Sequence, residues 1–142
     1  MLNKIGETLG KLEYVKAMTD VTGFGLLGHL SEMCEGSDLQ AVVEFDKVPK
    51  ISILDEYLEQ GSIPGGTNRN WASYGHKVME ISNRQKHILA DPQTSGGLLV
   101  AVSPDKTEEF ELTLRSNGVP EKNIIPFGWL EERKNEALIR II

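Results

Sequence analysis

Asp20 has the clearest capacity for chemistry in this sequence because of the residues on its C-terminal side. In Met18-Thr19-Asp20-Val21-Thr22-Gly23-Phe24-Gly25-Leu26-Leu27-Gly28-His29, a carboxylate precedes a glycine-softened turn that runs into apolar residues. Gly23 and Gly25 let the backbone bend and come close to another group. Leu26, Leu27, Leu30, Met33 and Cys34 recur at helical spacing and predict a helix from about Gly23 to Glu35, stopped by Gly36. A helix start leaves N–H groups unpaired and carries partial positive charge, which suits an anion. Asp20 therefore has two readings. It caps that helix, which is worth about 1 kcal/mol, or it faces a bound cation. A hard cation such as Mg²⁺ takes only one or two protein carboxylates and fills its shell with water and phosphate oxygens.

Two further stretches carry polar groups on flexible backbone. Gly65-Gly66-Thr67-Asn68-Arg69-Asn70 offers side chains able to donate to phosphate, but lacks the lysine and the spacing of a P-loop. It reads as part of a shaped loop over Ser62–Asn70 that runs into a helical turn through Trp71–Tyr74, either as plain surface or as a ligand-facing segment. Asp91-Pro92-Gln93-Thr94-Ser95-Gly96-Gly97 starts a turn and lets the chain enter a strand, with a cleft-lining role open to its polar side chains. His29, His76 and His87 have no ligand-like mutual spacing and read as packing or surface residues. Ser95 has no nucleophile-elbow context. Cys34 is the only cysteine, so no internal disulfide is possible, and its apolar helical position predicts a buried, inert thiol.

The elements that must position these residues are legible from periodicity and turn chemistry. A helix over Asn3–Leu12 precedes a short strand, Val15–Met18, that delivers Asp20 to its tip. Leu39–Phe45 alternates as a strand with one buried face. Ser52–Gln60 is a short helix closed by Gly61, Val78–Ser82 a short strand and Arg84–Leu89 a helical turn. Leu98–Val102 is continuously apolar, as expected of a central strand covered on both faces. Ser103-Pro104-Asp105 starts a helix that runs to about Ser116. Ile124–Leu130 and Ala137–Ile142 read as two strands joined by the charged Glu131–Glu136 turn. The pattern is mixed α/β, with four to six strands covered by helices in a single domain over residues 1–142.

Composition bounds the function. With 142 residues, 39% hydrophobic and 25% charged, the chain can bury a real core. A net charge of −6 argues against a nucleic-acid surface. No apolar run approaches a membrane span and the N-terminus lacks a secretory segment, so a cytoplasmic location is expected.

Met18–His29, Gly65–Asn70 and Leu89–Leu98 together closely resemble the C-terminal domain of the selenophosphate synthetases (selenide, water dikinases), a resemblance that spans about Leu2 to Ile142. It implies an α/β (α+β) layered domain of the aminoimidazole-ribonucleotide-synthetase type, with a partial likeness to the ferredoxin-like arrangement. It further implies that Asp20 is a Mg²⁺ ligand and that Gly66, Thr67, Asn68 and Asn70 line a cleft as cofactor contacts. The family converts ATP, selenide and water to selenophosphate, AMP and orthophosphate. Its nucleotide-binding aspartates and reactive Cys (or selenocysteine) and Lys lie on an additional N-terminal domain, so this chain is expected to be inert alone. The implied partners are that N-terminal domain and a second copy of the full enzyme. Two alternatives stand beside this reading: a stand-alone binding module of the same fold, and a domain of another enzyme of the superfamily.

Overall fold

The computed structural model describes residues 3–142. Six α-helices and five strands alternate along them in an α/β arrangement. Helix α1 (Ile5–Leu9) is shorter than Asn3–Leu12 because Gly10 and the adjoining turn end it early. Strand β1 (Val15–Asp20) extends two residues beyond expectation and carries Asp20 as its last residue. Helix α2 (Gly25–Ser37) starts at the second glycine of the turn rather than the first. It also runs past Gly36: Asp38, in the left-handed region at φ 54°, ends it instead, a conformation that a short polar side chain tolerates.

The centre of a sheet belongs to β2 (Leu39–Val43), not to the apolar run at Leu98. β2 pairs antiparallel with β4 (Gly128–Glu132) and parallel with β5 (Ile139–Ile141). Its alternation predicted one buried face, yet Gln40 is buried along with Ala41, Val42 and Val43. The Gln40 amide makes this possible, since it donates to Glu131 Oε1 at 2.6 Å and accepts from the Lys134 N–H at 3.0 Å. β4 and β5 thus flank β2 on opposite sides instead of pairing with each other.

Among the described residues, strand β3 (Leu98–Val102) has a single partner, β1, in a separate two-stranded antiparallel sheet. The expected cover on both faces is present, because β3 divides two hydrophobic clusters. Leu99 belongs to the main one with Leu27, Leu30, Cys34 and Val43, while Leu98 and Val100 pack on Leu9, Leu114 and Ile124. A strand between two cores has no solvent face to make polar, which is why its sequence does not alternate.

Helices α3 (Leu54–Glu59), α5 (Asn83–Leu89) and α6 (Thr107–Ser116) fall where the sequence placed them, with α6 preceded by a 3₁₀ turn at Pro104–Lys106. A reciprocal capping pair between Ser82 and Gln85 starts α5. Val78–Ser82 is not a strand: only Val78 bridges to Ile139, and the capping pair then commits Ser82 to the helix. The largest departure is Gly65–Asn70. This stretch is the first half of helix α4 (Gly65–Tyr74), not a loop. Its glycines are poor helix formers, but a buried face of Thr67, Asn70 and Tyr74 outweighs local propensity. Among the described residues no helix is long and apolar enough to cross a membrane.

Candidate functional site

The three polar stretches, far apart in sequence, meet at one corner where β1 ends. Asp20 pairs with Leu98 in the β1–β3 ladder, and the next residue clamps the glycine loop. The Val21 N–H donates to Gly97 O at 2.9 Å, and the Gly96 N–H donates back to Val21 O at 3.0 Å. A Cβ at residue 96 would stand 2.7 Å from Val21 O, so only glycine permits this approach. Thr22 O accepts from the Gln93 N–H and the Gly25 N–H, each at 3.0 Å. The turn of the first stretch therefore lies flat against the third.

Gly25 opens α2 at φ 70° with its α-carbon against the 89–91 backbone; a Cβ there would lie 2.8 Å from Asp91 O. The residue in the cap position is Phe24, and among the described residues no side chain caps the helix. Asp20 is thus not a helix cap. Its carboxylate is exposed and, among the described residues, receives no hydrogen bond or ion pair.

Helix α4 is the strut behind this corner. The Asn70 amide donates to Gly23 O at 2.8 Å and to Ala90 O at 3.0 Å, tying the first stretch to the third. Tyr74 donates its hydroxyl to Phe24 O at 2.6 Å. Thr67, fully buried, donates to Asp91 Oδ1 at 3.4 Å, while Gln93 Nε2 donates to Asp91 Oδ2. Partial burial holds the Asp91 carboxyl above its usual range, opposed by those two hydrogen bonds. Gly66 backs onto the Pro92 ring. Of the four residues of this stretch proposed to contact a cofactor, Asn68 alone presents an exposed side chain.

Two participants escaped the sequence reading. Tyr74 and His29 both hold the turn, and the spacing of Thr67, Asn70 and Tyr74 along one helical face was the available signal for the first. His29 lines a shallow cavity of about 150 Å³ with Ala17, Met18, Thr19, Glu32 and Met33, just behind the turn.

The exposed rim consists of Asp20, Gln93, Thr94 and Ser95, with the Phe24 ring half-exposed beside them. Such a rim offers one free carboxylate and several hydroxyl and amide groups. It offers no activated nucleophile. Burial pushes the Cys34 thiol up to about 11, and the residue is fully enclosed in the main core. Among the described residues, no cluster of three His, Cys, Asp or Glu side chains could hold a metal ion.

Residues 4–140 match the family described as AIR synthase related protein, C-terminal domain. The chain is also similar to proteins named selenide, water dikinase. It is 53% identical to that of Pseudomonas putida over 137 residues, covering 96% of this chain and 39% of the relative. For Colwellia psychrerythraea the identity is 53%, covering 91% and 37%, and for Photorhabdus laumondii 47%, covering 97% and 39%. The chain thus spans about two fifths of the length of the curated relatives it matches. With nearly every described residue inside the matched span, the chain belongs to the family of AIR synthase related protein C-terminal domains.

Proposed function

We propose that this chain is the C-terminal domain of a selenide, water dikinase, and that it presents Asp20 to Mg²⁺-bound ATP across a cleft completed by an N-terminal domain. One observation carries the proposal: three separate stretches converge to hold an exposed, unpartnered carboxylate at the edge of a polar rim. The donor set fits Mg²⁺. A single aspartate is a hard oxygen ligand, and that ion accepts few protein carboxylates when phosphates and water supply the rest. When bound, the ion neutralises phosphate charge, which is most of what phosphoryl transfer asks of a protein.

The chain's own residues then divide the work. Asp20 is the metal ligand. The exposed Asn68 amide is a group of α4 free to reach a phosphate oxygen, with exposed Arg69 beside it. Gly66, Thr67 and Asn70 serve the cleft by holding its wall, since Thr67 and Asn70 spend their polar groups on Asp91, Gly23 and Ala90. ATP and selenide are the substrates on this reading, and AMP, orthophosphate and selenophosphate the products.

The test is a two-domain protein in which this chain replaces the matching C-terminal segment of the Pseudomonas putida relative. It should release AMP from ATP only when selenide is present, and this chain alone should release none. A folded two-domain protein that binds ATP but yields no AMP would overturn the proposal, as would robust turnover by the chain alone.

A further inference from the structure

We propose that His29 is a positioning residue for the Asp20 turn, acting through the lone pair of its Nε2; the inference rests on the metal-ligand reading of Asp20. His29 sits in the second turn of α2, 8% exposed, with its ring under the peptide that joins Val21 to Thr22. The Thr22 N–H donates to Nε2 at 3.1 Å, and the Thr22 hydroxyl lies 3.2 Å from the same nitrogen. A backbone N–H can only donate, so Nε2 carries no proton. The ring proton of the neutral tautomer is therefore on Nδ1, which faces Glu32 Oε2 at 3.3 Å. Phe24 packs edge-on against the ring at 5.8 Å.

The consequence concerns one peptide plane. Its carbonyl end, Val21 O, is held by the Gly96 N–H, and its amide end, Thr22 N–H, is held by His29. A plane gripped at both ends cannot rotate, and this fixes the course of the chain through Val21 and Thr22, directly after the Asp20–Val21 peptide that the Val21 N–H holds to Gly97 O. Thr22 O is fixed as well, by Gln93 and Gly25, so the turn has no slack on its far side. If His29 merely filled space, an apolar residue would serve as well on this apolar helix. What the site uses is an acceptor for a partly buried N–H, placed behind the carboxylate rather than beside the metal. Groups hydrogen-bonded directly to a metal ligand commonly tune affinity by about 10- to 100-fold; His29 grips the ligand's turn rather than the ligand, which puts its effect at the lower end of that range.

Two isosteres separate acceptor from filler. Glutamine at residue 29 puts an amide oxygen as many bonds from Cα as Nε2 is, whereas asparagine reaches only as far as Nδ1. In the two-domain protein with ATP present, Mn²⁺ binding would be titrated by the electron paramagnetic resonance of the free ion, alongside thermal melting. His29→Asn should raise the Mn²⁺ dissociation constant about 10-fold and His29→Gln should keep it within about twofold, with Asp20→Asn as the reference loss. An unchanged constant in His29→Asn, with a raised one in Asp20→Asn, overturns the inference and leaves the metal reading standing. Equal losses in the Asn and Gln variants also overturn it. An unchanged constant in Asp20→Asn removes the metal reading and the inference with it. Should His29→Asn fail to fold, the ¹⁵N spectrum of the wild-type ring decides: an unprotonated Nε2 supports the proposal and a protonated Nε2 sinks it.

Discussion

Gly23 and Gly25 look interchangeable in the sequence, and the structure makes them opposites. Gly25 has φ 70°, and an added Cβ would meet Asp91 O at 2.8 Å, the Ala90 carbonyl carbon at 2.9 Å and Leu89 O at 3.1 Å. None of these atoms can retreat. Leu89 and Ala90 are fully buried, and Ala90 O is held by Asn70. In Gly25→Ala, left-handed strain of about 1–2 kcal/mol adds to overpacking of about 1–3 kcal/mol, giving a loss of about 3 kcal/mol. For a chain of this size that lowers Tm by about 10 °C. Among the described residues, no heavy atom lies within 4 Å of a Cβ built at Gly23, and its φ is not positive. Gly23→Ala should therefore stay within about 0.5 kcal/mol of the parent. Circular dichroism melting of the two variants beside the parent is the assay. The reasoning is refuted if Gly25→Ala melts within about 2 °C of the parent, a shift too small for a steric clash with fixed backbone.

Three shorter expectations concern the same corner and the core behind it. Asp20→Asn should leave the melting temperature unchanged, because the carboxylate caps nothing, while selenide-dependent AMP release by the two-domain protein falls by orders of magnitude; normal turnover at low Mg²⁺ would remove Asp20 from the metal site. The Asp91 carboxyl is raised in the folded state from its ordinary 3.8, so the folded chain binds a proton more tightly than the unfolded one. Its contribution to stability is greatest at acid pH and is lost as pH climbs above 3.8, so Asp91→Asn should gain on the parent in melting experiments over that rise; a mutant that instead falls further behind the parent over that rise would contradict the assignment. Cys34, raised to about 11 by burial, should resist iodoacetamide in the native chain and react once the chain is denatured; rapid native labelling would show that the core opens.

What the sequence made legible was chemistry at short range. The Asp20 turn, the apolar helix after it and the cap-proline start before α6 rest on local rules, and their elements appeared within a few residues of the expected bounds. The errors share one cause, which is packing that local rules do not see. Gly65–Asn70 has the composition of a loop and became helical because Asn70 and Tyr74 bond to backbone that arrives from residues 23, 24 and 90. Gln40 disguised the central strand because its amide finds partners more than ninety residues away. The Asp20 cap reading was sound as a local rule and failed because the helix starts at Gly25 and the carboxylate faces outward. His29 passed as a packing residue because nothing nearby in sequence shows that a ring nitrogen will meet a backbone N–H seven residues back.

The pairing of β1 with β3 bears on how the chain acquires its shape during synthesis. Asp20 finds Leu98, and Val21 finds Gly97, across a loop whose closure costs on the order of 4 kcal/mol of chain entropy. The central strand waits longer still, since β2 receives both of its neighbours from residues 128–141. A ribosome that has made α1 through α5 has therefore made neither sheet. The Val21 N–H, at the start of the carboxylate-bearing turn, has no partner until Gly97 emerges, and the main core has no roof until β5 does. Folding here is a late event with high contact order, slow by comparison with helical bundles of similar length. Until then, the apolar faces of α2 and β2 are the surfaces that a chaperone would have to shield.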